Sequence, residues 1–305
     1  MFRYREKARY GFRPMTLIIA TVVSVTVGLA VIFTARAWFE PVSAPYIASG
    51  ETREPSPPNA SVEVHYIANE GVLITARDKR VLIDGLHRKY EDAYAYLPDR
   101  EREKIESARP PFENIDLILV SHRHGDHFHP EAVGNYLRNS PKSVLATSQQ
   151  VADETAEKFA GYASVKDRIT SLPFNFKERT TRNLAGIDVE FLAIGHGGGR
   201  HATIQNLGHV FTLGGKRFLH IGDAPTSAEL FDHFDLDKLA IDIAFLPAWF
   251  LTSAEGKAII RDHIKPKHII AVHVGPTEGE TLKKRIAADF PTADVFSTML
   301  EKRHF

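Results

Sequence analysis

Directly after the apolar run Ile115-Asp116-Leu117-Ile118-Leu119-Val120 the chain reads Ser121-His122-Arg123-His124-Gly125-Asp126-His127. A continuous apolar run is the mark of a strand covered on both faces of its sheet. The polar cluster therefore stands at a buried strand end, where three imidazoles and a carboxylate need a shared target. In an extended chain His122 and His124 would share a face. A turn at Gly125, which has no Cβ to restrict it, would aim Asp126 and His127 at a neighbouring point. Nitrogen and oxygen ligands without sulfur suit zinc, manganese or iron, and two directions of approach suggest two ions. The chain has no cysteine, which excludes a thiolate nucleophile, a disulfide framework, an iron–sulfur cluster and a Cys-ligated zinc.

The rest of the pattern predicts a layered α/β domain over residues 61–305. With 43 % hydrophobic and 25 % charged residues, most of the chain is too apolar to be disordered. Strands are expected at SVEVHYI (61–67), at the hairpin GVLITA and VLID ending on Asp84, and at IDLILV (115–120) and SVLAT (143–147). The second half adds IDVEFLAI (187–194), HVFTL (209–213), RFLHI (217–221), IDIAFL (241–246) and HIIAVHV (268–274), with Gly214-Gly215 as a hairpin turn. Helices are expected at EREKIES and near 131–139, 149–160, 226–233, 253–262 and 279–289. Two packed sheets, each covered outside by helices, is one arrangement consistent with this order.

The phrase HRHGDH fits the HxHxDH signature of the metallo-β-lactamase superfamily, and the chain resembles that family from about Val62 to His273. The resemblance implies a four-layer αββα sandwich with a metal pair at the edge of its two sheets. It also implies the remaining ligands. His196, in FLAIGHGGG, matches the third His of the first site, beside His122 and His124. Asp223, in FLHIGDA, matches the carboxylate that bridges both metals, and His273, in IIAVHVG, joins Asp126 and His127 at the second. His201, beyond a run of glycines, is the alternative third ligand, and otherwise a substrate contact or a partner of the ligands. Asp84 is expected to orient the metal loop. His87 and Trp249 are candidate substrate contacts, with core packing the alternative for Trp249. Tyr90, Tyr94 and Tyr96 lie on a stretch from Leu86 to Pro111 that reads as a lid. His129 reads as the start of a helix; His65, His209 and His220 read as surface or satisfied core.

These residues predict a metal-dependent hydrolase in which two divalent ions, Zn2+ first and Mn2+ or Fe2+ as alternatives, lower the pKa of a bridging water. Asp126 would be the catalytic carboxylate that holds the hydroxide in line. The bond is expected to be of ester type, in a small-molecule or lipid-derived substrate. Asp223 argues against antibiotic hydrolysis, because true β-lactamases of the family usually lack it. The phrase Ile204–Phe211 resembles a branch containing N-acyl-phosphatidylethanolamine phospholipase D and ascorbate-6-phosphate lactonase, which favours a phosphodiester or a lactone. Di-iron oxidoreductase chemistry of the same fold and a non-catalytic metal-binding module are the competing readings.

The N-terminus places the domain. Residues 1–14 are a basic leader carrying Arg3, Arg5, Lys7, Arg9 and Arg13, and Met15 to Phe33 are nineteen positions without a charge. Residues 15–37 are thus expected to be a transmembrane anchor or a signal peptide cleaved after Ala37, with the leader cytoplasmic and the domain periplasmic or extracellular. Residues 38–60, rich in proline, read as a linker. The 38 basic and 38 acidic residues balance, and nothing in their distribution gives a nucleic-acid footprint.

Overall fold

The computed structural model describes residues 61–77, 79–296 and 298–305. In chain order, the first sheet takes the strands β1 (Val62–Tyr66), β2 (Val72–Ala76), β3 (Lys79–Ile83), β4 (Leu117–Val120), β5 (Val144–Ser148) and β6 (Ile169–Leu172). The second takes β7 (Arg179–Leu184), β8 (Ile187–Ala193), β9 (Leu207–Leu213), β10 (Lys216–His220), β11 (Ile243–Pro247), β12 (His268–Val272) and β13 (Asp294–Val295). The last strand, β14 (Lys302–His304), returns to the first sheet beside β1, pairing Val64 with Arg303. The strand orders are β14-β1-β2-β3-β4-β5-β6 and β13-β12-β11-β10-β9-β8-β7.

Period-two alternation explains how the sheets stack. Along β1 and β2, Val62, Val64, Val72 and Ile74 point one way, as do Val189, Phe191, Phe211 and Phe218 of the second sheet, and these side chains form one buried cluster between the sheets. The opposite faces are apolar as well. Leu82, Ile118, Val120 and Leu145 pack under the helices α1 (Asp99–Glu106), α2 (Pro130–Asn139) and α3 (Gln149–Lys158). Leu219, Ala244, Leu246 and Ala271 pack under α4 (Ala228–Asp232), α5 (Ala248–Thr252), α6 (Ala254–Ile259) and α7 (Gly279–Ile286). The result is the four-layer αββα order. β4 is buried at every position, as an apolar run between two covering layers requires.

Strand direction decides where the chemistry lies. β3 to β6 run parallel to one another, as do β10, β11 and β12, while β9 is antiparallel to both β8 and β10. Asp84, the His122–His127 loop, His196, Asp223 and His273 therefore follow the C-terminal ends of β3, β4, β8, β10 and β12. Open α/β sheets bind ligands at such ends.

Two expectations need correction. β4 ends at Val120, so His122 and His124 stand on the loop beyond it rather than on a strand face. The strands β6, β7, β13 and β14 lie outside the expected set. The expected turn at Gly125 is present over residues 125–127, and the missing Cβ there matters because the Tyr90 ring occupies that space. The basic leader, the anchor or signal segment and the linker lie outside the described residues; among those described, no helix is long and apolar enough to cross a membrane.

Candidate metal centre

Two groups of ligand atoms meet at the strand ends. His122, His124, His196 and Asp223 each offer one atom, all within 4.8 Å of one another, and Asp126, His127 and His273 do the same. Asp223 faces both. Its Oδ2 lies 3.1 Å from His196 Nε2 and 3.8 Å from His122 Nε2, while its Oδ1 lies 3.3 Å from His127 Nε2 and 3.6 Å from His273 Nε2. Asp126 Oδ2 is 3.3 Å from Nε2 of both His127 and His273.

Hydrogen bonds behind the ligands fix which ring nitrogen faces forward. Asp84 Oδ2 accepts from Ser121 Oγ at 2.5 Å and lies 2.9 Å from His127 Nδ1. An ionised carboxylate can only accept, so the His127 ring proton sits on Nδ1 and Nε2 is free for the cluster. Ser121 spends its one proton on Asp84, so its oxygen accepts from His122 Nδ1, 3.0 Å away, and His122 Nε2 is freed in turn. One carboxylate thus sets a tautomer in each group. His196 Nδ1 accepts from Gly197 N–H at 2.7 Å, turning its Nε2 toward Asp223.

Two asparagines hold the loops. Asn69 donates to Asp126 Oδ2 at 2.9 Å and to the Asp126 carbonyl at 3.2 Å, and its own carbonyl accepts from His273 N–H at 3.1 Å. Asn206 donates to the carbonyls of Gly195 and Ile221 at 3.2 and 3.0 Å, and its Oδ1 accepts from Asp223 N–H at 3.2 Å. Gly222, at φ 51°, lets Asn206 and Ser121 come this close; a Cβ there would stand 2.8 Å from that of Ser121. Asp84 and His273 also adopt positive φ, 44° and 55°. Such backbone costs a non-glycine residue about 1–3 kcal/mol and clusters where surrounding contacts over-determine it.

The electrostatics suit a cation. Burial opposes charge on every group, yet the neighbouring imidazoles outweigh it and hold Asp84, Asp126 and Asp223 well below the usual carboxylate range. Burial and His127 push His122 down, and burial with His196 pushes His124 down to about 4, so both are neutral. Ionised carboxylates with neutral imidazoles are the protonation states of metal ligands. Burial disfavours a charge on His127 as well, but Asp223 and Asp126 prevail and raise its pKa. That demand for positive charge is one a divalent ion meets. His127 Nε2 and Asp223 Oδ1, both buried, have no hydrogen-bond partner among the described residues, which is how atoms reserved for a metal look. The residues fit the group.

Residues 79–287, well over half of the chain, match the Beta-lactamase superfamily domain. The chain belongs to this superfamily. It is similar to a UPF0173 metal-dependent hydrolase of Thermus thermophilus, 26 % identical over 218 residues that cover 70 % of this chain and 83 % of the relative. Its fold is similar to that of the metallo-beta-lactamase fold protein YhfI of Bacillus subtilis (TM-score 0.55, 12 % identity, covering 81 % of this chain and 100 % of the other). It is also similar to the fold of a possible metal-dependent hydrolase of Veillonella parvula (TM-score 0.55, 16 % identity, 80 % and 99 %). The protein is a metal-dependent hydrolase of the metallo-β-lactamase fold.

Within this superfamily member, the structure brings His122, His124, Asp126, His127, His196, Asp223 and His273 together. His201 stands outside the ligand groups: its ring stacks on His196 with centroids 4.7 Å apart, and its Nε2 accepts from Arg200. Trp249 sets its ring edge against His273 at 5.0 Å and donates from Nε1 to the Ala224 carbonyl, packed against the helix-side core. His87 is buried beside the Leu86–Phe128 bridge, and among the described residues neither of its ring nitrogens has a hydrogen-bond partner. His209 and His220 are not satisfied core either. Both are fully buried; among the described residues neither ring nitrogen of His209 has a hydrogen-bond partner, while His220 Nδ1 accepts from Gly222 N–H at 3.2 Å and its Nε2 lies 3.3 Å from Oε2 of the fully buried Glu70. Glu70, Asn69 and the clamping role of Asn206 carried no spacing signal. Glu70 and Asn69 sit in the β1–β2 turn, where polar residues are ordinary.

The double role of Asp84 makes a prediction. Asp84→Asn keeps its shape and tolerates its positive φ, but it no longer dictates the tautomers of His122 and His127. Metal affinity, read by competition with a chromophoric chelator, should fall about 10–100-fold. Unchanged affinity would remove Asp84 from the ligand-orienting role.

Proposed function

We propose that the two ligand groups hold two divalent ions, zinc first, and that the protein hydrolyses an ester-type bond, a phosphodiester or a lactone. The observation that carries this reading is the division of the Asp223 carboxylate, one oxygen toward each group. His122, His124 and His196 would hold one ion, and Asp126, His127 and His273 the other. Ions held there supply Lewis acidity to the oxygen under attack and acidify water. The chain's own residues do the rest. Asp126, fixed by Asn69, takes the proton of the attacking water at its carboxylate, and Asn206 keeps Asp223 between the two groups. Trp249 and Tyr94 both pack on the His273 ring, with centroids 5.0 and 5.3 Å away, and limit the water around it. The all-nitrogen-and-oxygen donor set, rich in imidazole, supports zinc.

The test is a chromogenic panel of phosphodiester, lactone, thioester, phosphomonoester and β-lactam substrates, run with zinc, manganese and iron. Turnover of the diester or lactone, abolished by chelation and restored by zinc, is the expected result. No turnover of either with any of the three metals would overturn the reading, and iron-dependent oxygen consumption would replace it with oxidoreductase chemistry. His196→Ala should lose bound metal, while His201→Ala should retain both ions. The opposite pattern would transfer the ligand role to His201.

A further inference from the structure

Two unlike cavities adjoin the ligand loops: His124 lines one, and Val274, next to His273, lines the other. On the His124 side, a cavity of about 560 Å³ is lined by charged groups, among them Arg123, Glu131, Glu154 and Lys158. On the His273 side, a second of about 610 Å³ is lined mainly by Tyr94, Tyr96, Val274, Pro276, Phe296 and Met299. That volume falls within the roughly 300–1,000 Å³ of small-molecule sites. The apolar cavity neighbours the ligands: Val274, in its wall, follows His273 in the chain, and the Tyr94 ring, also in its wall, meets the His273 ring edge-on, centroids 5.3 Å apart. Tyr66 and Phe296, stacked with centroids 4.9 Å apart, make a rigid wall deeper inside.

A second observation points the same way. Among the described residues the exposed large hydrophobic side chains are Tyr90, Phe176 and Met299. Of these three, Met299 lines the apolar cavity and Tyr90 the charged one. Tyr90 also covers Gly125 of the ligand loop, and Phe176 lies against Gly195 just before His196. Met299 thus leaves exposed apolar surface on the wall of an apolar cavity, where an apolar ligand group can cover it.

We propose that the Tyr94–Met299 cavity is the subsite for an apolar acyl or alkyl group of the substrate, whose ester-type bond then lies over the metal ligands. This rests on the hydrolase reading above and names the substrate class: an amphiphilic ester with one apolar substituent, not a wholly polar metabolite. The charged cavity on the His124 side receives the polar remainder.

The experiment uses the zinc-loaded full chain and two readouts. The first is kcat/KM for methyl and octyl p-nitrophenyl phosphate; the second is calorimetric binding of methylphosphonate and octylphosphonate, which are not hydrolysed. The octyl member of each pair should be favoured at least about tenfold, well within what seven added methylenes can supply in an apolar site. Met299 is 37 % exposed, so Met299→Glu can be made without opening the core, and it should reduce both preferences to near unity. Equal treatment of methyl and octyl compounds by the unaltered protein would overturn the subsite. So would a preference that survives Met299→Glu. Tenfold tighter octylphosphonate binding, lost in Met299→Glu, with no turnover of either diester, would uphold the subsite while removing phosphodiester hydrolysis.

Discussion

With two ions held as proposed above, Asp223→Ala should reduce the bound metal to one equivalent per chain or fewer and lower turnover at least about 10³-fold. The structure divides this carboxylate between the groups, Oδ2 toward His196 and Oδ1 toward His127, so a single truncation removes a donor from both. Lewis-acid stabilisation by a bound ion is worth several kcal/mol, and about 1.4 kcal/mol corresponds to tenfold in rate, which gives the expected scale. Elemental analysis after gel filtration, paired with turnover of the best panel substrate, measures both effects. The loops should remain in place, since Asn206 still joins the carbonyls of Gly195 and Ile221. Two full equivalents in Asp223→Ala would sink the bridging assignment, whatever the activity.

Asp126→Asn separates catalysis from metal binding. The amide keeps the size and one donor oxygen, but it cannot accept a proton from water. Turnover should fall at least about 10²-fold, the scale of a positioned acid–base group, even with metal in excess. The Asn69 contact complicates only the ground state: Asn69 Nδ2 now donates to Asp126 Oδ2, and the amide oxygen of the variant can accept the same bond. If saturating zinc or manganese restored near-normal turnover, Asp126 would be a ligand and nothing more, and another group would have to orient the water.

How much of this was legible in the chain depended on local pattern. IDLILV and HIIAVHV appear as strands because they are buried on both faces, and the helices over 131–139, 149–160 and 279–289 were placed to within a few residues. β7 escaped because RTTRNL is an edge strand with little buried side chain, so it lacks the apolar alternation that marks a half-buried strand. β14 escaped because its support is β1, nearly the whole domain away in sequence; no local pattern carries a pairing of that range. Asn69 and Asn206 escaped for a related reason, as their value lies in which distant loops they join.

The sequence by itself determined the donor chemistry: no sulfur, three imidazoles and a carboxylate in one phrase, and further ligand candidates each ending an apolar strand. Those are properties of side-chain type and of periodicity, and both are local. Only the tertiary structure decided which donors converge, because convergence depends on strand direction and on two sheets meeting at one edge. It also placed His196 among the converging donor atoms with the His201 ring stacked beside it, Asp84 behind His127 and Ser121, and one Asp223 oxygen toward each group. A difference of a few ångströms separates a ligand from a bystander, and that distance is set by packing between residues far apart in the chain.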